Sequence, residues 1–493
     1  MTDADIHMAQ TVGDFWDERV ATTPDAPFLL FEGVTETFAS FDAVVNEAAN
    51  GFLAAGVEPG DHVGLVLPSG RDLLRFELGL LKLGAVMVPM IDTLTPAEIS
   101  YVVEHSEASL VVDDPAQVPP CSSEPPPRPE LGPLDPMAIM YTSGSTGKPK
   151  GVVQPHAGFP TAGRAIAARL GVGAGENYLC TIPLFHTAGF HQLVGPAIAA
   201  GARLTLVPKF SRSEFWDQVR ANGATVGIVM PAQMAILMSS PPDHRDRDHT
   251  LRVLASHFRP EDFCRRFGVD VVTIWAMTEI SGLGTISKPG ADLHPDKFVG
   301  TPMPAESEVR IVNPDGTEAA PMELGELWYR HPHGMLEYYR NPEATAASLE
   351  DGWVKTGDLC AGDGEGGVYF HGRIKNVIKR AGENISGEEV EGTMIEHPEV
   401  AECVVVGVSD PIYTEEVHAT VSRQPGSTLG AAELDAYCRE QLAAWKAPRY
   451  IEVIEGELPK LANGKPDRVS IRAAASPESA WDHSAETASG RAR

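Results

Sequence analysis

The sequence predicts an α/β protein with a large N-terminal α/β layered domain, a β-rich subdomain inside it, and a small C-terminal α+β domain. Apolar runs of strand length alternate with amphipathic runs of helix length over residues 11–114. Short strands with turn residues begin near residue 309, and a second, smaller series of helices and strands begins after residue 374. Because 493 residues exceed what one hydrophobic core usually serves, we expect more than one domain.

In the N-terminal domain, the pattern predicts individual elements. Helices repeat apolar residues every three or four positions, whereas strands are short apolar runs bounded by turn residues. The predicted helices are 12–22, 41–55, 73–83 and 212–222, and the predicted strands are 62–67, 86–90, 203–207, 226–230 and 271–274. Residues 115–136 are rich in proline and predict a surface connection.

Turn residues become frequent from about residue 309, as in NPDG at 313–316 and AGDGEGG at 361–367. They predict the β-rich subdomain, about 309–373, and place the end of the N-terminal domain, 1–373. The C-terminal domain, 374–472, is predicted to contain helices 388–397 and 431–445 and strands 401–408, 417–422 and 450–454. The Ser/Ala/Glu-rich residues 473–493 predict a disordered tail.

Composition narrows the class of protein. A formal net charge of −29 argues against nucleic acid or an anionic membrane surface as partner. Six cysteines lie without CxxC or ligand spacing, which indicates reduced thiols rather than disulfides or a structural zinc. The acidic N-terminus does not resemble a signal peptide, and no run of 18 apolar residues predicts a membrane span. We therefore expect a soluble cytoplasmic protein.

The most informative segment is YTSGSTGKPK, residues 141–150, followed by Gly151. Glycines let successive backbone N–H groups face one centre, hydroxyls add donors, and lysines supply positive charge, so the segment suits a polyphosphate. A flexible Gly/Ser surface loop is the alternative, but it gives no reason for the paired lysines. The spacing also differs from the Walker loop, since Pro149 follows Lys148. The candidate contacts are Thr142, Ser143, Gly144, Ser145, Thr146, Gly147, Lys148 and Lys150.

Four further segments follow in order: WAMTE at 275–279, TGD at 356–358, GRIKNVIKRAGENIS at 372–386, and LPK with NGK between 458 and 465. Together with the loop, they resemble the motifs of the AMP-forming adenylate enzymes, the superfamily of acyl-CoA synthetases, peptide-synthetase adenylation domains and luciferases. The resemblance spans nearly the whole chain. It implies activation of a carboxylic acid by ATP, release of pyrophosphate, and a mobile C-terminal domain.

The resemblance assigns nucleotide contacts in the N-terminal domain. Trp275 would stack on the adenine, Thr278 would bind the α-phosphate, and Glu279 would hold Mg²⁺ through hard oxygen. Asp358 and Arg373 would bind the ribose. Taken alone, each short segment also fits a strand end or a simple turn.

The resemblance also assigns residues to the two half-reactions. Lys375 would be the hinge, and Gly382 would line the pantetheine tunnel. Lys465, on a mobile loop, would reach the carboxylate and the α-phosphate, where negative charge develops. His186, within PLFHTAG at 183–189, would lie by the acyl pocket, although a lone histidine is more often structural.

Three departures from the family pattern concern specificity and reach. Trp275 and Ala276 replace the usual Tyr-Gly, which predicts a reshaped acyl pocket. SHFRP at 256–260 replaces a run of small residues and favours a polar or short acid over a long fatty chain. Pro466 replaces an apolar residue and predicts an altered reach of the Lys465 loop.

The resemblance implies ATP, Mg²⁺ and CoA as cofactors and substrates, with CoA as the acceptor. Within the superfamily, the sequence is similar to carnitine or crotonobetaine CoA ligase-like members. An amine, a carrier-protein thiol or another small nucleophile stays open as the acceptor. A catalytically silent nucleotide-binding protein is a further alternative. The sequence leaves open the identity of the acid and the oligomeric state.

Overall fold

The computed structural model describes residues 9–142, 149–290, 295, 297–304, 306–380, 383–410, 413–442, 444–461 and 464–484. The chain forms two compact units. The first comprises Met1–Arg310, Trp328–Thr356 and Asp363–Val368, and the second comprises Ile311–Leu327, Gly357–Gly362 and Tyr369–Arg493. The division therefore differs from the predicted boundary after residue 373, because the β-rich segment contributes stretches to both units.

The helices of the first unit begin and end at recognisable local signals. Thr11 accepts a hydrogen bond from the Asp14 amide, so the first helix begins as predicted. Thr37 forms a capping box with Ser40, which moves the start of the second helix ahead of the predicted residue 41. The helices are Val12–Thr22, Phe38–Ala54, Arg71–Leu83, Pro96–Ser106, Gly158–Leu170, Thr187–Gly189, Gly195–Ala200, Phe215–Asn222, Pro231–Met238, Glu261–Phe267 and Pro342–Ser348.

One sheet of the first unit is parallel at its centre and antiparallel at both ends. Its strands, in spatial order, are Val34–Thr37, Pro27–Phe31, Arg203–Leu206, Asn177–Cys180, Val226–Ile228, Val253–Ser256, Asp270–Ala276, Gly284–Ile286 and Phe298–Met303. The five pairings from Pro27–Phe31 to Asp270–Ala276 are all parallel. This arrangement requires helical crossovers, as the predicted alternation implied.

The second sheet of this unit carries the predicted phosphate loop. Its strands, in spatial order, are Glu337–Tyr338, Lys150–Pro155, Pro136–Thr142, Val86–Pro89, His62–Leu65 and Leu110–Val112. One hydrophobic cluster contains residues of both sheets, including Leu65 and Leu204, and of the helices, including Phe41 and Phe159. The α/β layered prediction is therefore confirmed.

The predicted β-rich segment contains four strands of at least five residues: Glu308–Val312, Gly325–Arg330, Trp353–Gly362 and Val368–Arg373. The predicted NPDG turn is closed by the Gly316 amide, which donates to the Asn313 carbonyl at 2.9 Å. The turn residues therefore correctly predicted where the segment of short strands lies.

The second unit has the predicted α+β composition. Its strands are Val377–Arg380, Glu383–Ser386, Val400–Asp410, Thr414–Arg423, Tyr450–Ile454 and Trp481–Asp482, and its helices are Gly387–Ile395, Ala431–Gln441 and Arg468–Ala474. Val400–Asp410 pairs along Thr414–Arg423 in antiparallel register, and Tyr450–Ile454 pairs with the same strand in parallel. Their apolar faces share a separate core that includes Val390, Ala419 and Leu434.

The predicted disorder from residue 473 is wrong for the part of the tail that the structure describes. Trp481–Asp482 pairs antiparallel with Tyr450–Ile451 at a sheet edge. Arg449 Nε lies 3.2 Å from Asp482 Oδ1, and His483 Nδ1 lies 2.9 Å from Asp435 Oδ2. Composition missed this segment because ion pairs and edge pairing hold it, rather than a periodic apolar face. Residues 485–493 lie outside the described residues.

All six cysteines are free thiols, as their spacing predicted. Within the described ranges, no helix combines the length and apolar character that crossing a membrane requires.

Gly163 tests the packing of the first unit. A Cβ at Gly163, in the helix Gly158–Leu170, would lie 2.6 Å from the Gly195 carbonyl oxygen. We expect Gly163→Ala to lower the free energy of unfolding by about 1–3 kcal/mol, because backbone must move to admit the methyl group. Urea denaturation measures this change. Gly173→Ala is the control, since no atom lies within 4 Å of its added Cβ; an equal loss there would contradict the explanation.

Candidate active site

An antiparallel strand pair fixes both ends of the predicted phosphate loop. Thr142 and Lys150 face each other across this pair, at the two ends of the predicted loop. The Tyr101 hydroxyl donates to the Pro149 carbonyl at 3.0 Å, and His105 Nδ1 lies 2.7 Å from the Tyr141 hydroxyl. The helix Pro96–Ser106 thus braces the base of the loop.

Much of the loop itself falls outside the described residues, namely Ser143, Gly144, Ser145, Thr146, Gly147 and Lys148. Gly151, which the sequence grouped with the loop glycines, belongs to the strand instead. Its carbonyl accepts from the Tyr339 amide at 2.8 Å. A Cβ there would lie 2.6 Å from Ile139 Cγ2, so close strand packing explains this glycine.

Three hydrogen bonds fix the Thr278–Glu279 segment where it follows the strand Asp270–Ala276. Gln154 Nε2 donates to the Thr278 carbonyl at 2.7 Å, and the Met335 amide donates to the Glu279 carbonyl at 2.8 Å. The Tyr338 hydroxyl donates to Glu279 Oε1 at 2.7 Å. Glu279 is buried, so this carboxylate is held in one orientation.

Lys150 meets the same tyrosine from another side. Its ammonium nitrogen lies 4.0 Å from the centroid of the Tyr338 ring, in a cation–π contact. Tyr338 therefore brings a positive group and a hard-oxygen ligand together. An ammonium suits phosphate and a carboxylate suits Mg²⁺, so the donor set fits a magnesium nucleotide.

Sequence reasoning missed Tyr338. It lies 59 residues after Glu279 and stands outside every segment that resembled a family motif. The short strand Glu337–Tyr338 pairs with Lys150–Pro155, and this pairing together with the Met335–Glu279 backbone bond brings the hydroxyl to the carboxylate. An aromatic residue in a two-residue strand gives no sequence signal for such a role.

The other predicted residues of the first unit take ordered positions. Trp275 is 6% exposed, and its ring centroid lies 5.8 Å from that of Tyr329. His186 is half-buried and precedes the helical segment that begins at Thr187, with its carbonyl accepting from the Gly189 and Phe190 amides.

The SHFRP departure presents less polarity than the sequence implied. Arg259 Nε lies 2.8 Å from Glu261 Oε1, and Arg259 Nη1 forms an ion pair with Asp270. Ser256 is buried at a strand end, whereas Phe258 is 46% exposed. Because carboxylates of the protein already bind the guanidinium, it is a poor candidate for recognising the acid.

In the second unit, the two predicted ribose ligands contact each other. Asp358 is fully buried, and Arg373 Nε lies 2.7 Å from its Oδ1. Gly357, with a left-handed φ of +69°, donates its amide to Glu326 Oε1 at 2.9 Å. TGD is therefore part of the strand Trp353–Gly362 rather than a simple turn.

Two lysines share the electrostatic surroundings of this pair. Burial, and then the positive charge of Arg373, lowers the pKa of Lys375. The same two causes lower the pKa of Lys465, because dense protein surrounds its ammonium although the residue as a whole is exposed. Arg373 thus acts on both lysines, and this positive charge favours an anionic ligand. Gly382 lies outside the described residues.

Two family models match the chain. The AMP-binding enzyme model matches residues 16–339, and the AMP-binding enzyme C-terminal domain model matches residues 389–465. A crotonobetaine/carnitine–CoA ligase of Salmonella agona (strain SL483) is 32% identical, over 94% of this chain and 98% of that protein. One of Citrobacter koseri is 31% identical over the same shares.

The chain also shares its fold with solved structures of CoA ligases. The chain is similar to an anthranilate CoA ligase in complex with anthranoyl-AMP, with a TM-score of 0.85 and 25% identity over 96% of this chain and 99% of that one. It is also similar to the o-succinylbenzoate coenzyme A synthetase of Bacillus subtilis in complex with AMP, with a TM-score of 0.84 and 27% identity over 94% and 98%.

The Tyr338–Glu279 hydrogen bond predicts a stability effect. We expect Tyr338→Phe to lower the free energy of unfolding by about 1.5–3 kcal/mol, because a buried hydrogen bond to a carboxylate is lost. Urea denaturation measures this change. Tyr339→Phe is the matched control, since it removes a 2.8 Å bond to exposed Glu107 and should change stability by less than about 0.5 kcal/mol. Equal effects of the two substitutions would contradict the role of Tyr338.

Proposed function

Because the chain belongs to the AMP-binding enzyme family, we propose that it activates a carboxylic acid with ATP and transfers the acyl group to the thiol of CoA. The observation that carries this proposal is the similarity to crotonobetaine/carnitine–CoA ligase over 94% of the chain. A carboxylate oxygen attacks the α-phosphorus of ATP, and pyrophosphate leaves. The CoA sulfur then attacks the acyl carbon, and AMP leaves with the bonding electron pair.

The first unit supplies phosphate, metal and adenine contacts. Glu279 holds Mg²⁺, which supplies charge neutralisation for the phosphates when it is bound. Lys150 contacts a phosphate, and Tyr338 orients the side chains of Glu279 and Lys150. Thr278 binds the α-phosphate and Trp275 contacts the adenine. The phosphate loop, 143–148, carries the donors that the family resemblance assigns to it.

The second unit supplies the ribose and transition-state contacts. Asp358 accepts the ribose hydroxyls, and Arg373 fixes that carboxylate through their 2.7 Å contact. Lys465 stabilises the charge that develops between carboxylate and α-phosphate. Lys375 is the hinge residue for the exchange between half-reactions, and Gly382 contributes to the pantetheine tunnel.

We assign a short acid as substrate. The ligases named above act, by their names, on crotonobetaine, carnitine, anthranilate and o-succinylbenzoate. Trp275 and Ala276 carry the size limit in this chain, because they are bulkier than the usual Tyr-Gly. Arg259 does not recognise polar groups of the acid, because its guanidinium already pairs with Glu261 and Asp270. His186 lies at the acyl side of the site.

Six free cysteines support a reducing, cytoplasmic location for this activity.

CoA, or the phosphopantetheine thiol of a carrier protein, presents the same nucleophile. The experiment below distinguishes these acceptors.

Pyrophosphate release with a panel of acids tests the activation step. The panel contains crotonobetaine, carnitine, anthranilate, o-succinylbenzoate, acetate and palmitate. We expect a short acid to give the fastest release, and palmitate at an equal rate would overturn the size limit. AMP release is then followed with CoA, a holo carrier protein and simple amines. Dependence on CoA supports the proposal, whereas release only with another acceptor overturns the second step.

Lys465→Ala tests the adenylation chemistry. We expect pyrophosphate release to fall about 10²–10³-fold, since one preorganised contact to the transition state is lost. Thioester formation from added acyl-adenylate should keep its rate, because Lys465 acts only in the first step. The exposed Lys209→Ala is the control. A wild-type rate of pyrophosphate release in the Lys465→Ala enzyme would exclude the assigned role.

A further inference from the structure

The segment before Lys465 and the segment after it form an antiparallel bridge between Lys460 and Pro466. The Leu461 amide donates to the Lys465 carbonyl, and the Asp467 amide donates to the Pro459 carbonyl, both at 2.8 Å. These bonds flank the bridge, so Pro466 occupies its non-hydrogen-bonded position. The missing proline N–H therefore costs no hydrogen bond, and Pro466 fits this loop without disruption.

Pro466 also restricts the backbone conformation of Lys465. A proline confines the preceding residue to extended backbone conformations, and the preceding residue is Lys465. On the other side, Gly464 has a left-handed φ of +77°, which glycine adopts without strain. The Gly464 amide donates to the Leu461 carbonyl at 2.8 Å. The backbone of Lys465 is thus constrained on both sides.

A half-buried ion pair fastens the chain directly after this loop. Arg468 begins the helix Arg468–Ala474, for which Asp467 is the N-cap, and its guanidinium pairs with the Glu391 carboxylate. Glu391 is buried and also accepts from the Val405 amide at 2.6 Å. One carboxylate therefore ties the loop to the helix Gly387–Ile395 and to the strand Val400–Asp410.

The chain before the loop is attached by Leu458, which is buried in one hydrophobic cluster with Ile471, and by ion pairs of Lys460. Lys460 Nζ lies 3.1 Å from Glu402 Oε1 and 2.7 Å from Glu457 Oε2. Glu457 is 79% exposed, and exposed ion pairs contribute little to stability. The Arg468–Glu391 pair is the stronger of these ion pairs, because Glu391 is buried and the loss of Arg468 would leave its carboxylate without a cation.

We propose that Arg468 and Pro466 are positioning residues for Lys465, which they hold in the orientation that adenylation requires. Neither residue contacts the reacting atoms in this proposal, and both act through the backbone on either side of the lysine. The inference rests on the proposed function. It gives a role to Pro466, which stands where the family usually has an apolar residue.

Half-reaction kinetics test the role of Arg468, with the acid that wild-type protein uses fastest in the panel. We expect Arg468→Gln to lower the kcat of pyrophosphate release about 10- to 100-fold, because small misplacements of a catalytic group cost this much. The KM for ATP and thioester formation from added acyl-adenylate should change less than about twofold. Arg468→Lys keeps a positive charge and should restore part of the rate.

Non-additivity separates positioning from a general structural role. In the Lys465→Ala background, Arg468→Gln should cost no more than about a further twofold, because the group that it positions is already gone. Arg472→Gln is the matched control on the same helix, since its partner Glu415 lies 3.1 Å away on the surface. A full additional loss in the Lys465→Ala background, or equal losses in both half-reactions, would overturn the proposal.

Amide hydrogen exchange tests Pro466 independently of activity. We expect Pro466→Ala and Arg468→Gln to speed exchange at the Leu461 and Asp467 amides at least about tenfold, because the bridge opens more often. Unchanged exchange in both variants would overturn the anchoring. If Arg468→Gln does not fold, Pro466→Ala and Arg468→Lys still decide the outcome. Absence of pyrophosphate release from wild-type protein with every acid would instead reject the proposed function, and the exchange result would still stand by itself.

Discussion

The candidate site depends on buried carboxylates, each of which is held by a hydrogen-bond or ion-pair partner. Glu279 is held by a tyrosine hydroxyl, Asp358 by Arg373, and Glu391 by Arg468 and a backbone amide. An isolated buried carboxylate is costly, whereas one that accepts well-placed hydrogen bonds is held in a fixed orientation. Lys150 lies against the Tyr338 ring, and Arg373 and Arg468 contact Asp358 and Glu391.

The choice of partner decides what each carboxylate can do. The partner of Glu279 is a neutral hydroxyl, so its carboxylate is not paired with a cation through that bond and suits a divalent metal, while Lys150 lies against the same tyrosine. A guanidinium compensates Asp358 and Glu391 instead, so these residues serve as anchors and hydrogen-bond acceptors.

Local signals predicted much of the fold. The helix Val12–Thr22 and the strand Tyr450–Ile454 agree with the predicted bounds, because a capping residue and a short apolar run define them. The Trp481–Asp482 strand escaped prediction, since its stability comes from Arg449 and from a sheet edge. Pro466 predicts an altered reach of the Lys465 loop, and only the hydrogen-bond register reveals that its missing N–H has no partner to lose.

The sequence by itself determined the family, the two-part organisation and the order of the candidate residues, because these follow from contiguous segments whose chemistry is visible in a few neighbouring letters. Only the tertiary structure decided which side chains hold those residues in place. Tyr338 reaches Glu279 across 59 positions, and Arg468 reaches Glu391 across 77. Such partnerships depend on strand pairing and helix packing, and these place residues together without any local pattern that records it.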